Sequence, residues 1–119
     1  MVKKSTKVII ADPYKDNGDM IGKILKAKGC LVKVATNVDK FNEALNDSPD
    51  LIIIEEPLSE FIELLREKPK SKLPKLVLIS RDRYSKQEKE ALAEKLNTVE
   101  ILSFPFDLEV FEKKISSYI

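Results

Sequence analysis

The feature that most constrains the fold is a fivefold alternation of short apolar runs with segments of helical periodicity. The apolar runs are Thr6–Ala11, Leu31–Ala35, Leu51–Ile54, Lys75–Ser80 and Val99–Leu102. Near-continuous apolar runs rich in β-branched residues are typical of strands in a parallel sheet that is covered on both faces. Right-handed crossovers through the intervening helices then favour a doubly wound α/β sheet.

The segments between the runs carry helix start and stop signals. Pro13 is placed like the first residue of a helix that Gly29 ends, and this helix carries Met20 on its apolar stripe. The pattern from Ser85 to Glu88 is a capping box that predicts a fourth helix up to Leu96. The other cap candidates are Thr36, Asn37 and Asp107, and the last helix is predicted to bury Leu108, Phe111, Ile115 and Tyr118 or Ile119.

Length and composition favour a single domain that comprises residues 1–119, because 43% of the residues are hydrophobic and 34% are charged. We expect a cytoplasmic protein, because no apolar run could span a bilayer and the first residues do not form a secretory signal. The net charge of +1 does not favour nucleic-acid binding, and the basic segment Arg66–Lys75 is interpreted as a solvated connection. The single cysteine, Cys30, is expected to be buried and inert.

Two absences argue against an enzyme. The chain has no histidine, which removes the usual member of a nucleophilic triad and the commonest zinc ligand. It has three glycines, too few for a glycine-rich nucleotide loop.

A site in a doubly wound sheet is expected outside the carboxyl ends of its strands, at the switch point. For the strand order 2-1-3-4-5, that crevice lies between strands 1 and 3. The strand tips bring Ala11, Asp12, Glu55, Glu56, Ser80, Ser103 and Phe104 to this end.

This order of elements resembles the receiver domain of bacterial response regulators, and the resemblance covers essentially the whole chain. Four stretches carry it: Val8–Asp12 (VIIAD), Ser48–Pro57 (SPDLIIIEEP), Leu76–Ser80 (LVLIS) and Phe104–Glu109 (FPFDLE). The resemblance implies a flavodoxin-like (βα)5 fold with a five-stranded parallel sheet and a role in two-component phosphorelay signal transduction.

The resemblance also assigns the residues of a phosphoacceptor crevice. A working receiver has an acidic pair after strand 1, a phosphoacceptor aspartate after strand 3, a hydroxyl after strand 4 and a Lys-Pro after strand 5. The corresponding residues are Ala11 with Asp12, Glu55, Ser80, and Phe104 with Pro105.

Three of these residues depart from the pattern in ways that oppose phosphoryl transfer. Ala11 removes one carboxylate from a site that must hold a hard cation through oxygen ligands. The extra methylene of Glu55 pushes its carboxylate into the space for metal and phosphoryl group. Phe104 replaces the ammonium that would hold a phosphoryl oxygen. The departures predict a pseudo-receiver, with Glu55 as a fixed negative charge.

The resemblance implies a working face made of helix 4, strand 5 and helix 5. We expect a protein partner at this face, and a second copy of the chain is one candidate. The corresponding ranges are Tyr84–Leu96, Val99–Leu102 and Asp107–Ile119. Arg81 replaces a residue that is usually small, Ile101 replaces the switch aromatic, and Phe106 completes the candidate switch and interface residues.

Other interpretations stay open. A receiver that is still phosphorylated, or that binds a divalent ion, would use Asp12 and Glu55, which are weak candidate metal ligands; magnesium is disfavoured and no cofactor is expected. A flavodoxin-like small-ligand module is a third class. The plainer alternatives are that Asp12 caps the first helix and that Glu55 only ends a strand.

Overall fold

The apolar runs form one parallel sheet in the computed structural model of the chain, which describes residues 5–55, 59–80, 85–103 and 107–119. The strands are β1 (Lys7–Ala11), β2 (Leu31–Ala35), β3 (Leu51–Glu55), β4 (Lys75–Ser80) and β5 (Thr98–Ser103). Their order is β2-β1-β3-β4-β5, and all four neighbouring pairs are parallel. The predicted fold class and strand order are therefore confirmed.

Helices connect the strands, and three of them begin directly after the predicted caps Asn37, Ser85 and Asp107. The helices are α1 (Lys15–Ala27), α2 (Val38–Leu45), α3 (Ser59–Arg66), α4 (Lys86–Lys95) and α5 (Leu108–Ile115). The Asn37 side chain accepts a hydrogen bond from the Lys40 N–H at the start of α2. Ser85 and Glu88 each accept a hydrogen bond from the other's backbone N–H, so the predicted capping box forms before α4.

The two faces of the sheet carry separate apolar clusters. One cluster lies under α2 and α3, where the rings of Phe41 and Phe61 pack edge to face with their centroids 4.9 Å apart. The other lies under α1 and α5 and includes Leu25 and Phe111, both fully buried. Burial on both faces explains why the central strands are continuously apolar.

Two glycines bring α1 close to the edge strand β2. A Cβ atom at Gly18 would lie 2.8 Å from Val34 Cγ1, and one at Gly22 would lie 3.4 Å from Val32 Cγ1. The two glycines are four residues apart and therefore lie on the same face of the helix. At the other end of α1, Gly29 has a φ of +90°, which suits a glycine after a helix C-terminus.

Three predictions about local structure are wrong. The first helix begins at Lys15, with Tyr14 as its N-cap, so Pro13 is not its first residue. Met20 is 49% exposed, because it is displaced around the helix from the buried stripe that contains Ile21 and Gly22. Leu108 is the first residue of α5 and is 45% exposed, because burial on that face of the helix begins one turn later, at Phe111.

In the described part of the chain, no helix has both the length and the apolar composition to cross a membrane.

Candidate functional site

Asp12 follows β1 at the carboxyl end of the sheet and is completely buried. Its backbone N–H donates to the Ala35 carbonyl over 3.0 Å, which ties it to the end of β2. Its Oδ1 atom accepts a 2.8 Å hydrogen bond from the Tyr14 N–H. Its Oδ2 atom is also buried and has no hydrogen-bond partner among the described residues. Asp12 therefore stabilises the turn before α1, and one oxygen is left for another ligand or donor.

Glu55 lies next to Asp12 at this end of the sheet. It is the last residue of β3 and is 3% exposed. The register pairs Ala11 with Ile54, so the residues that follow them occupy neighbouring positions. Two carboxyl side chains are thus buried on adjacent strand ends. A buried carboxylate is unfavourable unless a proton, a cation or hydrogen-bond donors compensate its charge.

Ala11 is fully buried in the apolar cluster that also contains Ala35, Phe41 and Ile54. A methyl group therefore occupies the position that the resemblance assigns to the first member of an acidic pair. An aspartate at this position would have to place its charge against apolar side chains. The substitution thus changes both the charge and the packing of the crevice.

The other strand tips complete one row of residues. Glu55 pairs with Ile79, and Ser80 pairs with Ser103, so the ends of β3, β4 and β5 lie side by side. The strand register therefore brings the backbones of Asp12, Glu55 and Ser80 to the same end of the sheet. The remaining assigned residues, Arg81, Phe104, Pro105 and Phe106, lie outside the described residues.

The donor atoms of the described crevice are few. No group of three His, Cys, Asp or Glu side chains among residues 5–55, 59–80, 85–103 and 107–119 could hold a metal ion. The carboxylates that could contribute ligands to a divalent ion are those of Asp12 and Glu55. The free Oδ2 lone pairs of Asp12 suit such a ligand role, whereas the methyl group of Ala11 contributes nothing to it.

The candidate switch residue Ile101 lies in β5, half-buried against the cluster under α2 and α3. Close to it, Glu100 forms a 3.3 Å ion pair with Lys114 of α5. The Tyr118 hydroxyl donates to the Val99 carbonyl over 3.2 Å, which fixes the end of the chain to the same strand. This strand and α5 therefore form one continuous surface.

The neighbouring helix α4 exposes each of its described side chains. They include Ala91, an apolar residue. Leu96, directly after the helix, is fully buried and anchors it to the cluster.

Sequence reasoning missed two features of the site. It treated Asp12 as a helix cap or a metal ligand, but it did not anticipate complete burial. It also gave no role to Gly18, although a Cβ atom there would lie 3.6 Å from the Asp12 Cβ atom. The signal was present in the spacing of Gly18 and Gly22, which marks the helix face that packs closely on the sheet.

Comparison by sequence identifies no relative: no family model and no curated protein matches the chain. Comparison by structure identifies many. A two-component response regulator from Clostridium difficile matches with a TM-score of 0.77 and 22% identity, over 96% of this chain and 95% of that chain. The non-phosphorylated HemR receiver domain from Leptospira biflexa matches with a TM-score of 0.78 and 15% identity, over 96% of this chain and 94% of that chain.

A third match is HP1043, an orphan response regulator of H. pylori, with a TM-score of 0.74 and 18% identity over 98% of each chain. These identities are low, so the likeness shows that this chain has the receiver-domain fold.

Proposed function

We propose that this chain is a receiver-like signalling module that does not accept a phosphoryl group and acts, without enzymatic activity, by binding a protein in the cytoplasm. The observation that carries the proposal is the burial of Ala11 in an apolar cluster, beside the buried carboxyl groups of Asp12 and Glu55. Phosphoryl transfer depends on positioning and on charge neutralisation. This crevice has one carboxylate fewer to hold a neutralising cation, and the longer side chain of Glu55 changes the position of the acceptor oxygen.

The proposed binding face consists of α4, β5 and α5. The exposed side chains of α4 and the exposed Val110 of α5 offer polar and apolar contacts on this face. The ion pair between Glu100 and Lys114 joins the strand to α5. The exposure of the described α4 side chains makes this helix accessible to a partner, which supports a role for α4 in recognition.

A ligand titration tests the phosphoryl part of the proposal. Magnesium with beryllofluoride, an analogue of a bound phosphoryl group, should leave the amide NMR resonances of residues 11–12, 55 and 79–80 unchanged. Magnesium alone should bind in the millimolar range, which corresponds to about −4 kcal/mol at the standard state. Saturable shifts of these resonances at micromolar beryllofluoride would contradict the proposal.

A second experiment tests the face. We propose that the chain forms a homodimer through α4, β5 and α5, so sedimentation at high concentration should detect a dimer. Val110→Asp should shift the equilibrium toward monomer, whereas Met20→Asp, at a similarly exposed apolar residue on α1, should not. A strict monomer at high concentration would eliminate the homodimer and leave a different protein as the partner.

One observation favours a second candidate function. The buried Oδ2 atom of Asp12, without a partner among the described residues, suits a cation ligand. A receiver that is still phosphorylated, or that binds a divalent ion, would use Asp12 and Glu55. Micromolar magnesium affinity that is lost in Asp12→Asn would favour this candidate over the first.

A further inference from the structure

The strand β2 (Leu31–Ala35) forms one outer edge of the sheet, and β5 forms the other. The Leu31 N–H donates to the Thr6 carbonyl over 2.9 Å, and the Ala35 carbonyl accepts from the Asp12 N–H. Alternate residues of a strand face the same neighbour, so Val32 and Val34 direct their N–H and C=O groups away from β1. No described strand pairs with that edge, which therefore offers a template for another strand.

A groove of about 580 Å³ adjoins this edge. Its volume lies within the range of ligand pockets, and apolar side chains line most of it. Leu31 is 57% exposed at the groove, a high value for a large apolar residue in a strand. The groove is lined in part by Val8, Ile9, Leu31, Val32 and Ala44.

The lengths of the covering elements explain the groove. The eight residues of α2 span about 12 Å, whereas the five residues of β2 span about 16 Å. The helix therefore leaves the amino end of β2 partly uncovered on its face. On the opposite face α1 is longer and packs closely through Gly18 and Gly22.

The rim of the groove is basic. Lys7, Lys26 and Lys33 line it, and Asp47 is the acidic residue among them. Lys33 forms a hydrogen-bonded ion pair with Asp47, and this hydrogen bond lowers the pKa of the Asp47 carboxyl group. Lys7 Nζ donates to the Asp47 backbone carbonyl over 3.3 Å. One carboxylate therefore faces three ammonium groups, and the rim complements a negatively charged ligand.

Lys33 disfavours the pairing of two copies along this edge. A full-length antiparallel pairing of β2 with its counterpart would place Lys33 opposite Lys33, and like charges in this position are destabilising. A lysine on an edge strand is a common device against self-association. The same lysine attracts a strand that places a carboxylate opposite it.

From the free edge, the apolar groove and the basic rim together, we propose that β2 binds an extended acidic peptide segment of a partner protein. The segment adds to the sheet beside Val32 and Val34 through backbone hydrogen bonds. It inserts an apolar side chain against Leu31, and its carboxylates pair with Lys26 and Lys33 on the two faces. This proposal does not depend on the proposed function, because the groove lies at the amino end of the sheet and β2 lies at the edge opposite β5.

The test uses a fluorescein-labelled heptapeptide of sequence Glu-Glu-Leu-Val-Glu-Glu-Val, which in an extended conformation carries glutamates on both faces, and a counterpart with lysine in place of glutamate. Anisotropy should show that the acidic peptide binds at least about tenfold more tightly than the basic one. Lys33→Glu should weaken acidic-peptide binding about tenfold, whereas Lys40→Glu, at an exposed lysine near the start of α2, should leave it unchanged.

Hydrogen exchange distinguishes strand addition from simple charge attraction. The acidic peptide at saturation should slow hydrogen exchange of the Val32 and Val34 amides. Two acidic peptides, each N-methylated on a different alternate set of residues, should differ in affinity, because the backbone N–H groups of only one set face β2. Equal binding of acidic and basic peptides would overturn the proposal. Binding without protection of these amides would do the same, as would a dimer that protects them in the absence of peptide.

Discussion

The two ends of the sheet place carboxylates in opposite environments. At the carboxyl end, Asp12 and Glu55 are buried side by side. At the amino end, Asp47 is exposed and pairs with Lys33. Burial makes a carboxylate costly unless its charge is compensated, whereas an exposed ion pair contributes little to stability. The comparison teaches that the carboxyl end keeps two acidic side chains where any charge needs compensation, and such places are typical of functional sites.

The largest expected effect comes from adding a third carboxylate at the buried end. Ala11→Asp should lower the free energy of unfolding at pH 7 by about 3 kcal/mol, because the new charge would lie in an apolar cluster without compensation. Burial would raise the pKa of the new carboxyl group, so the loss should shrink as the pH falls and the group becomes protonated. Chemical denaturation at several pH values measures the difference in free energy of unfolding between the variant and the wild-type chain.

Ala11→Asn is the matched control, because it has nearly the same size and no charge. It should be clearly more stable than Ala11→Asp at pH 7 and similar to it in acid. Equal stability of the two variants at pH 7 would mean that the crevice already compensates an extra charge, and the contrast between the two ends of the sheet would fail.

The next effect separates two positions on the same face of α1. Gly18→Ala should lower stability by about 1 kcal/mol, because a Cβ atom 2.8 Å from Val34 Cγ1 forces repacking that exceeds the gain in helix propensity. Gly22→Ala should instead raise stability by up to about 1 kcal/mol, because its nearest contact is 3.4 Å. Thermal unfolding of the two variants should therefore shift in opposite directions, and a shift in the same direction would refute this account of the packing.

The smallest effects compare the two aspartates directly. Asp12→Asn should raise stability by about 1 kcal/mol, because asparagine keeps an oxygen for the Tyr14 N–H and removes a buried charge beside Glu55. Asp47→Asn should lower stability slightly at neutral pH. Lys33 lowers the pKa of Asp47, so its contribution is present at neutral pH and is lost as the pH falls through that lowered value. A destabilising Asp12→Asn would show that its charge is already compensated.

Much of the fold follows from the sequence because local and global signals agree. The apolar runs predict the strands, and the capping signals at Asn37, Ser85 and Asp107 predict where three helices begin. Exposure of Leu108 could not be predicted, because the helical period assigns a face but not the end of the packed layer.

For the site, the order of the strands predicts which residues meet. It does not predict how deeply each side chain is buried. Asp12 shows the difference: its position after an apolar strand places it at the crevice, but complete burial depends on packing by distant parts of the chain. The groove beside Leu31 was not predicted for the same reason, since it results from the relative lengths of α2 and β2.

The measurement that tests the central claim most directly is intact-protein mass spectrometry after incubation with acetyl phosphate and magnesium. The account predicts no added phosphoryl group on the wild-type chain or on Glu55→Asp, since the missing carboxylate at Ala11 is not restored. The triple variant Ala11→Asp, Glu55→Asp, Phe104→Lys, checked for folding, is the gain-of-function comparison. A wild-type chain that gains one phosphoryl mass, and a Glu55→Gln chain that does not, would contradict the account.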